Sequence, residues 1–292
     1  MALSPVRRRA AIVGAALALA ALSAHAADLT RSNFARYGAI LVDLVQHGPL
    51  PMPPAAAVVG ALGPGAAARV RLAEPRSGSP PPTAQPCAGG GEVLTRLFDL
   101  DEDGGLSVGD RVETEYRACM LDGHRVDGRD AFTIVAHRAE GREEIVDVHF
   151  VFDHVGRRAM RWTGQVDATL RADLLRGTEH YTVHYRDLAV DIPGHRMRWS
   201  HTVDLVHPPF GAHVMSMGGA LRIDGTALDL QQLEPFVLDH AGTVASGRLA
   251  ARDRDGALLH IAATAGAWEF GWCGPGDAWP GPACARAPHR AR

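Results

Sequence analysis

Lysine is missing from this chain. All 30 basic residues are arginine, and asparagine occurs once, at Asn33. Codons for both are AT-rich, while Ala, Gly, Pro and Arg abound. The bias therefore reads as the mark of a GC-rich genome rather than of anion recognition by arginine forks. Aromatic residues make up only 6%. One apolar run lies near the N-terminus and no second one follows, which excludes a polytopic helical membrane protein. Positive charge is not in excess either. The 33 acidic residues outnumber the basic ones, and the formal charge of −3 argues against a nucleic-acid partner that needs a basic face. The 292 residues, 46% of them hydrophobic and 22% charged, suffice for a large buried core. This is not the composition of a disordered chain, a collagen or a coiled coil.

Several catalytic signatures are also absent. There is no Cys-x-x-Cys, no His-x-His, no His-Glu-x-x-His and no glycine-rich phosphate loop leading from a strand into a helix. The 15 histidines invite a zinc reading. His180 and His184 have the spacing of ligands on one helical turn, but their segment reads as strand, where that spacing separates them by roughly 13 Å. Gly105-Leu106-Ser107-Val108-Gly109 matches a hydrolase nucleophile elbow. That elbow needs a strand before it and a helix after it. Here Ser107 lies among acids, which oppose a developing oxyanion. Asp147, His149, Asp153 and His154 could form an acid/base cluster, though their alternation fits a solvated strand face. No catalytic residue is assigned, and the balance leans away from an enzyme.

What is present begins with a tripartite N-terminus. Arg7, Arg8 and Arg9 precede an apolar stretch from Ala10 to Leu22, and Ala24-His25-Ala26 fits a small-x-small cleavage site. Residues 1–26 are expected to be a signal peptide, and the protein periplasmic or secreted. The stretch is too short to span a bilayer comfortably, so no transmembrane segment is expected after cleavage. No cysteine follows it to accept a lipid. The 26 residues carry three arginines and no acid, which leaves 266 residues with a formal charge of −6. Four cysteines remain, Cys87, Cys119, Cys273 and Cys284. An even number in an exported chain suggests two disulfides. Of three pairings, Cys87–Cys119 with Cys273–Cys284 closes the two local loops.

The spacing of Phe34, Tyr37, Ile40, Leu41 and Leu44 predicts a helix over Ser32–Gln46 in an N-terminal segment 27–47. Ser32 would cap its start and Gly48-Pro49 its stop. Ten of the 19 prolines fall within the next segment, 48–86, which reads as linker with at most a short strand around Arg69–Ala73. From Glu92 the period becomes two. Val146, Val148, Phe150 and Phe152 share one parity. Met160, Trp162, Val166, Ala168 and Leu170 share another, as do Tyr181, Val183 and Tyr185, and then Met197, Trp199, His201, Val203 and Leu205. One face buried and one wet is the antiparallel signature. Asp-Gly occurs five times, at 103–104, 122–123, 127–128, 224–225 and 255–256, and favours hairpin turns. The expected fold is mainly β: an antiparallel meander of about nine to eleven strands over 87–273, forming a curved sheet or barrel. Residues 274–292 read as a disulfide-closed tail. A transmembrane barrel would be expected to end on an apolar strand with aromatic girdles, which this tail is not.

The sharpest local motif runs from Asp99 to Asp110, Asp-Leu-Asp-Glu-Asp-Gly-Gly-Leu-Ser-Val-Gly-Asp. It resembles the EF-hand calcium loop. The resemblance implies carboxylate ligands from Asp99, Asp101, Asp103 and Asp110. It implies a carbonyl oxygen from Gly105, a hydroxyl or water-mediated oxygen from Ser107, and an apolar anchor at Leu106. Asp110 stands where the family has Glu, which weakens bidentate contact and shifts the preference towards Mg²⁺. Gly89-Gly90-Gly91 leaves little room for an entering helix, and Val112, Thr114 and Tyr116 alternate as a strand would. The bland counterpart is an acidic hairpin turn with no ion. Cys87-Ala88-Gly89-Gly90-Gly91, the acidic loop and Cys119 together also resemble an element of uncharacterised exported β-sheet proteins of Gram-negative bacteria. That resemblance covers roughly Cys87–Gly128. It implies a β context and a Cys87–Cys119 bond, and no reaction.

The expectation is an exported protein of binding or structural role with a weak Ca²⁺ loop. Its rivals are a periplasmic carrier of a lipid or other apolar ligand, and a cell-envelope hydrolase centred on Asp147 and His149. The partners so implied are an apolar small molecule or an envelope component.

Overall fold

Period-two alternation over long runs leaves the chain one economical arrangement, each strand hairpinned onto the last. The computed structural model describes residues 29–47, 81–102, 106–121, 124–157, 160–173, 175–239, 243–277 and 279–289. The expected signal peptide, the strand sought around Arg69–Ala73, and Asp103, Gly104 and Gly105 lie outside them. One helix, α1 (Phe34–His47), precedes β1 (Thr83–Pro86), β2 (Glu92–Phe98), β3 (Arg111–Leu121), β4 (His124–Glu140), β5 (Glu143–Arg157), β6 (Met160–Asp173) and β7 (Thr178–Ile192). Then follow β8 (His195–His207), β9 (His213–Ile223), β10 (Thr226–Leu238), β11 (Val244–Asp253), β12 (Leu258–Thr264), β13 (Ala267–Cys273) and β14 (Ala285–His289). These form a single 14-stranded antiparallel sheet in which spatial order equals chain order. It is an open curved sheet and does not close into a barrel.

The strand count exceeds the nine to eleven expected, partly because β1 lies at the end of the supposed linker and β14 inside the supposed tail. Both are short edge strands. Every residue of β1 is exposed, and β14 turns only the small Ala285 and Ala287 towards the core between exposed Arg286 and Pro288, so neither segment carries the large apolar alternation by which a strand is read.

Register places the apolar parities on one face. Val112 lies opposite Phe132, Phe132 opposite Phe150, Phe150 opposite Val166, and Val166 opposite Tyr185. This face continues through Trp199, Leu221, Leu228, Ile261 and Phe270 as one buried cluster. Helix α1 lies against β12 and β13 and buries Phe34, Tyr37, Ile40, Leu41, Leu44 and Val45 in that cluster. The approach is close at Gly38, where a Cβ would come within 2.7 Å of the Phe270 ring. The helix begins at Phe34 rather than Ser32, after a turn in which Asn33 Oδ1 accepts from Thr30 N at 2.8 Å. Leu29 N donates to Asp253 at 2.9 Å, Tyr37 and Thr226 hydroxyls meet at 2.9 Å, and Arg36 pairs with Asp224 at 2.7 Å.

The meander is creased. Register shifts fall in adjoining positions between β4 and β5 at Asp127/Arg129, β5 and β6 at Phe152/Val155, β6 and β7 at Thr163/Gln165, and β7 and β8 at His184/Leu188. Each extra residue sharpens local twist, and a row of them bends the whole sheet. Two disulfides are formed, Cys87–Cys119 with Cα atoms 5.5 Å apart and Cys273–Cys284 with Cα atoms 4.4 Å apart. No described helix is long and apolar enough to cross a membrane.

Candidate metal centre

The acidic motif is the connection between β2 and β3, so Leu97-Phe98 closes a strand and not an entering helix. Side-chain oxygens of Asp99, Asp101 and Asp110 lie within 4.8 Å of one another. Asp110 is the anchor. It is fully buried, and its two carboxylate oxygens accept from Leu100 N at 2.8 Å and Ser107 N at 2.6 Å. Its own backbone carbonyl accepts from Ile134 N at 3.0 Å, and Gly109 N donates to Ile134 O at 2.8 Å, which ties the loop to β4. Leu106 and Val108 pack against the core from the same loop. Asp99 Oδ1 accepts from Glu102 N at 2.7 Å, while Asp101 is exposed.

Burial pushes the Asp110 carboxyl above the ordinary carboxylate value, and the charges of Asp99 and Asp101 push the same way. The two amide hydrogen bonds oppose them. Three carboxylates so placed, each with oxygen lone pairs to spare, suit a hard cation that prefers oxygen ligands. Ser107 is 8% exposed, and a strand rather than a helix follows it, so the nucleophile-elbow context is not met.

Asp147 and His149 fall on the other, polar face, in rows that cross up to five strands. Asp147 takes Arg138 at 2.5 Å and Thr169 at 2.7 Å, and the row continues through Thr182 to Asp204. His149 meets Asp167 at 2.7 Å, which also pairs with Arg186. Asp153 and His154 bond each other and are exposed. His180 and His184 point to this same face, His180 towards Asp204 at 3.6 Å and His184 towards Thr202 at 2.9 Å. These are solvated cross-strand ladders.

Polar groups on the apolar face escaped the sequence reading. Asp130 faces inward between Thr114 and Phe152, and burial raises its pKa from 3.8 to about 6 against hydrogen bonds from Tyr116 and Thr114. His201 is 3% exposed, and burial lowers its pKa to about 4. Neither ring nitrogen of His201 has a hydrogen-bond partner, nor has Nε1 of Trp199 or of Trp162 on the same face. The Tyr185 ring packs at 4.8 Å from His201 and 5.2 Å from Trp199. Across the β8–β9 turn, Nδ1 of His207 and Nδ1 of His213 bond each other, with Tyr181 edge-on to His207. The His201 signal was available, since it is the one ionisable residue between Met197 and Leu205 in the β8 apolar parity. No protein-family model matches the chain, and no curated protein or solved structure matches it.

Proposed function

We propose that this chain is an exported β-sheet protein of binding or structural role, acting in the periplasm or outside the cell, with a weak Ca²⁺ site in the β2–β3 connection. The observation that carries the metal reading is the gathering of Asp99, Asp101 and Asp110 oxygens within 4.8 Å, on a loop pinned by Asp110. Asp103, the Gly105 carbonyl and Ser107 would complete the set by resemblance to the EF-hand loop, and Mg²⁺ is the competing ion. Export is supported by the tripartite N-terminus and by two disulfides, which persist where thiols are not kept reduced. Without a cation the carboxylates repel; with one, the folded loop is favoured over the open chain. For an affinity of roughly 10⁻⁴–10⁻³ M, as in extracellular modules, millimolar Ca²⁺ adds about 1 kcal/mol. The test is melting temperature against Ca²⁺, with Mg²⁺ and ionic strength as controls. Wild type and Asp147→Asn should rise together, and Asp101→Asn should rise less. Equal responses of wild type and Asp101→Asn would reduce the loop to a turn.

A second reading is a carrier of a lipid or other apolar ligand. It is favoured by the unpartnered nitrogens of His201, Trp199 and Trp162 on an otherwise apolar face, because buried polar groups in native proteins are nearly always satisfied. The hydrolase reading has less to rest on, since Asp147 and His149 stand in ladders with arginine, threonine and aspartate partners on the solvated face.

A further inference from the structure

Where the sheet carries the β6–β7 and β8–β9 connections, the inward face ends in a row that is not apolar. Ala172 of β6 lies opposite Glu179 of β7, Glu179 opposite His207 of β8, and His213 of β9 opposite Leu238 of β10. Val206 stands opposite Val214, so His207 and His213 meet as the next pair outward. Their rings direct Nδ1 at one another and stand edge-on, with centroids 4.2 Å apart and planes at 84°. Glu179, His207 and His213 are all half-buried.

Unlike the ladders of the polar face, this row has an apolar floor. The row beneath it holds Tyr181, Leu205, Met215 and Phe236, and all but Leu205 are fully buried. The Tyr181 hydroxyl donates to Glu179 Oε2 at 2.5 Å and holds the carboxylate from below, while its ring packs edge-on against His207 at 5.4 Å. Pro208-Pro209 follows His207 directly and stiffens the connection that leads to His213. Donors held by packing in this way lose little freedom on binding.

In a neutral pair of imidazoles joined through Nδ1, one nitrogen carries the hydrogen and the other accepts it. When the donor ring takes its Nε2–H tautomer, both Nδ1 lone pairs point into the same gap, with no net loss of a proton. Two nitrogens bound to one ion at about 2.0–2.1 Å stand roughly 3 Å apart, close to the separation of a hydrogen-bonded pair. The rings therefore admit an ion in place of the shared hydrogen with little movement.

We propose that His207 and His213 bind Zn²⁺ through their Nδ1 atoms, with Glu179 turning in from β7 as third donor and water in the fourth position. Two imidazoles and a carboxylate are a donor set that zinc takes in four-coordinate sites with an open position. Imidazole favours such borderline ions, whereas Ca²⁺ and Mg²⁺ prefer oxygen throughout. The site shares no residue with the acidic loop and is independent of the calcium reading.

The test is equilibrium dialysis of the full chain against Zn²⁺ alone, at pH ~7.5, above the ordinary imidazole value. Millimolar Ca²⁺ is present to compete at oxygen-only sites. Wild type should take up a single tightly held equivalent, and Co²⁺ in its place should give the visible absorption of a four-coordinate ion. His207→Gln and His213→Gln should each weaken binding about 100-fold or more, since even an outer partner of a ligand is worth about 10–100-fold. Glu179→Gln should weaken it about tenfold. Asp101→Asn in the acidic loop and His180→Gln on the polar face should bind as wild type does. Where a glutamine variant melts early, Zn²⁺ titration of wild type followed through the histidine ring resonances replaces it, and two rings should shift together. Absence of Zn²⁺ binding by wild type, or binding untouched in both histidine variants, would overturn the proposal. Loss of binding in Asp101→Asn would place the ion in the acidic loop and overturn it equally.

Discussion

Replacing Asp130 by asparagine should make the protein more stable at neutral pH and leave it unchanged near pH ~4. The carboxyl lies on the apolar face between Thr114 of β3 and Phe152 of β5, and burial raises its pKa from 3.8 to about 6. An acid whose folded pKa lies above its unfolded one holds its proton more tightly when folded. Its contribution is therefore fully present below 3.8, fades as pH climbs towards about 6, and is gone above that. At 1.36 kcal/mol for each tenfold step in proton affinity, ionisation costs the wild type about 3 kcal/mol, or about 2 after allowing for the partial exposure of the side chain. Asparagine keeps an acceptor for the Tyr116 and Thr114 hydroxyls and never ionises. Denaturant melts at intervals from pH ~4 to ~8 measure the difference between variant and wild type, which should grow across the window and then level off. In temperature the plateau is about 4–10 °C for a domain of this size. The difference is the cleaner quantity, because His201 and His260, both lowered to about 4 by burial, act in the opposite sense over the same window. Parallel profiles, or a variant less stable at pH ~7, would refute the account of Asp130 as a buried carboxyl held near its titration point.

Removing the disulfides should cost unequally. By the chain-entropy argument, replacing both cysteines of the 32-residue Cys87–Cys119 loop by alanine should lower stability by about 4 kcal/mol, and of the 11-residue Cys273–Cys284 loop by about 3, as read from denaturant melts. His201→Leu should abolish whatever apolar compound native mass spectrometry finds bound to wild type. It should also remove the stability that wild type loses as pH falls from 6.5 to about 4, because a histidine with lowered folded pKa contributes only above that range. A variant that keeps the bound mass would sink the carrier reading.

Much of the fold was legible because its central strands are long and one face is continuously apolar. β5 to β8 alternate plainly over most of their length, and Asp-Gly at 224–225 and 255–256 turns β9 into β10 and β11 into β12 as expected. Asp127-Gly128 misled, since it lies within β4 at a register shift and turns nothing. The crease explains that error more generally. In β5 the inward parity passes from Phe152 to Val155, and in β7 from Tyr185 to Leu188, so the inside–outside pattern slips by one while the strand runs on. The acidic loop was legible as a motif, with Asp110 as its last acid, but not the way Asp110 spends its oxygens on Leu100 and Ser107. Asp130 interrupts an apolar parity that includes Val126 and Phe132, yet one sequence cannot say which face that parity takes. His207 and His213 meet only because the β8–β9 register brings them face to face.

The two disulfides sit where an open sheet is most vulnerable. One fastens the β1–β2 turn to β3, the other fastens the approach to β14 onto the end of β13, so each margin of the sheet is covalently closed at the same end. In a reducing compartment the margins become flaps. Lifting β1 or β14 bares the backbone of β2 or β13, and a meander that never closes on itself has no geometric reason to stop accepting strands. The two disulfides thus help to keep the short strands β1 and β14, rather than the longer β2 and β13, at the margins of the sheet. Chain refolded in reductant should pair through those edges more readily than chain refolded with both disulfides formed, as sizing of the two would show.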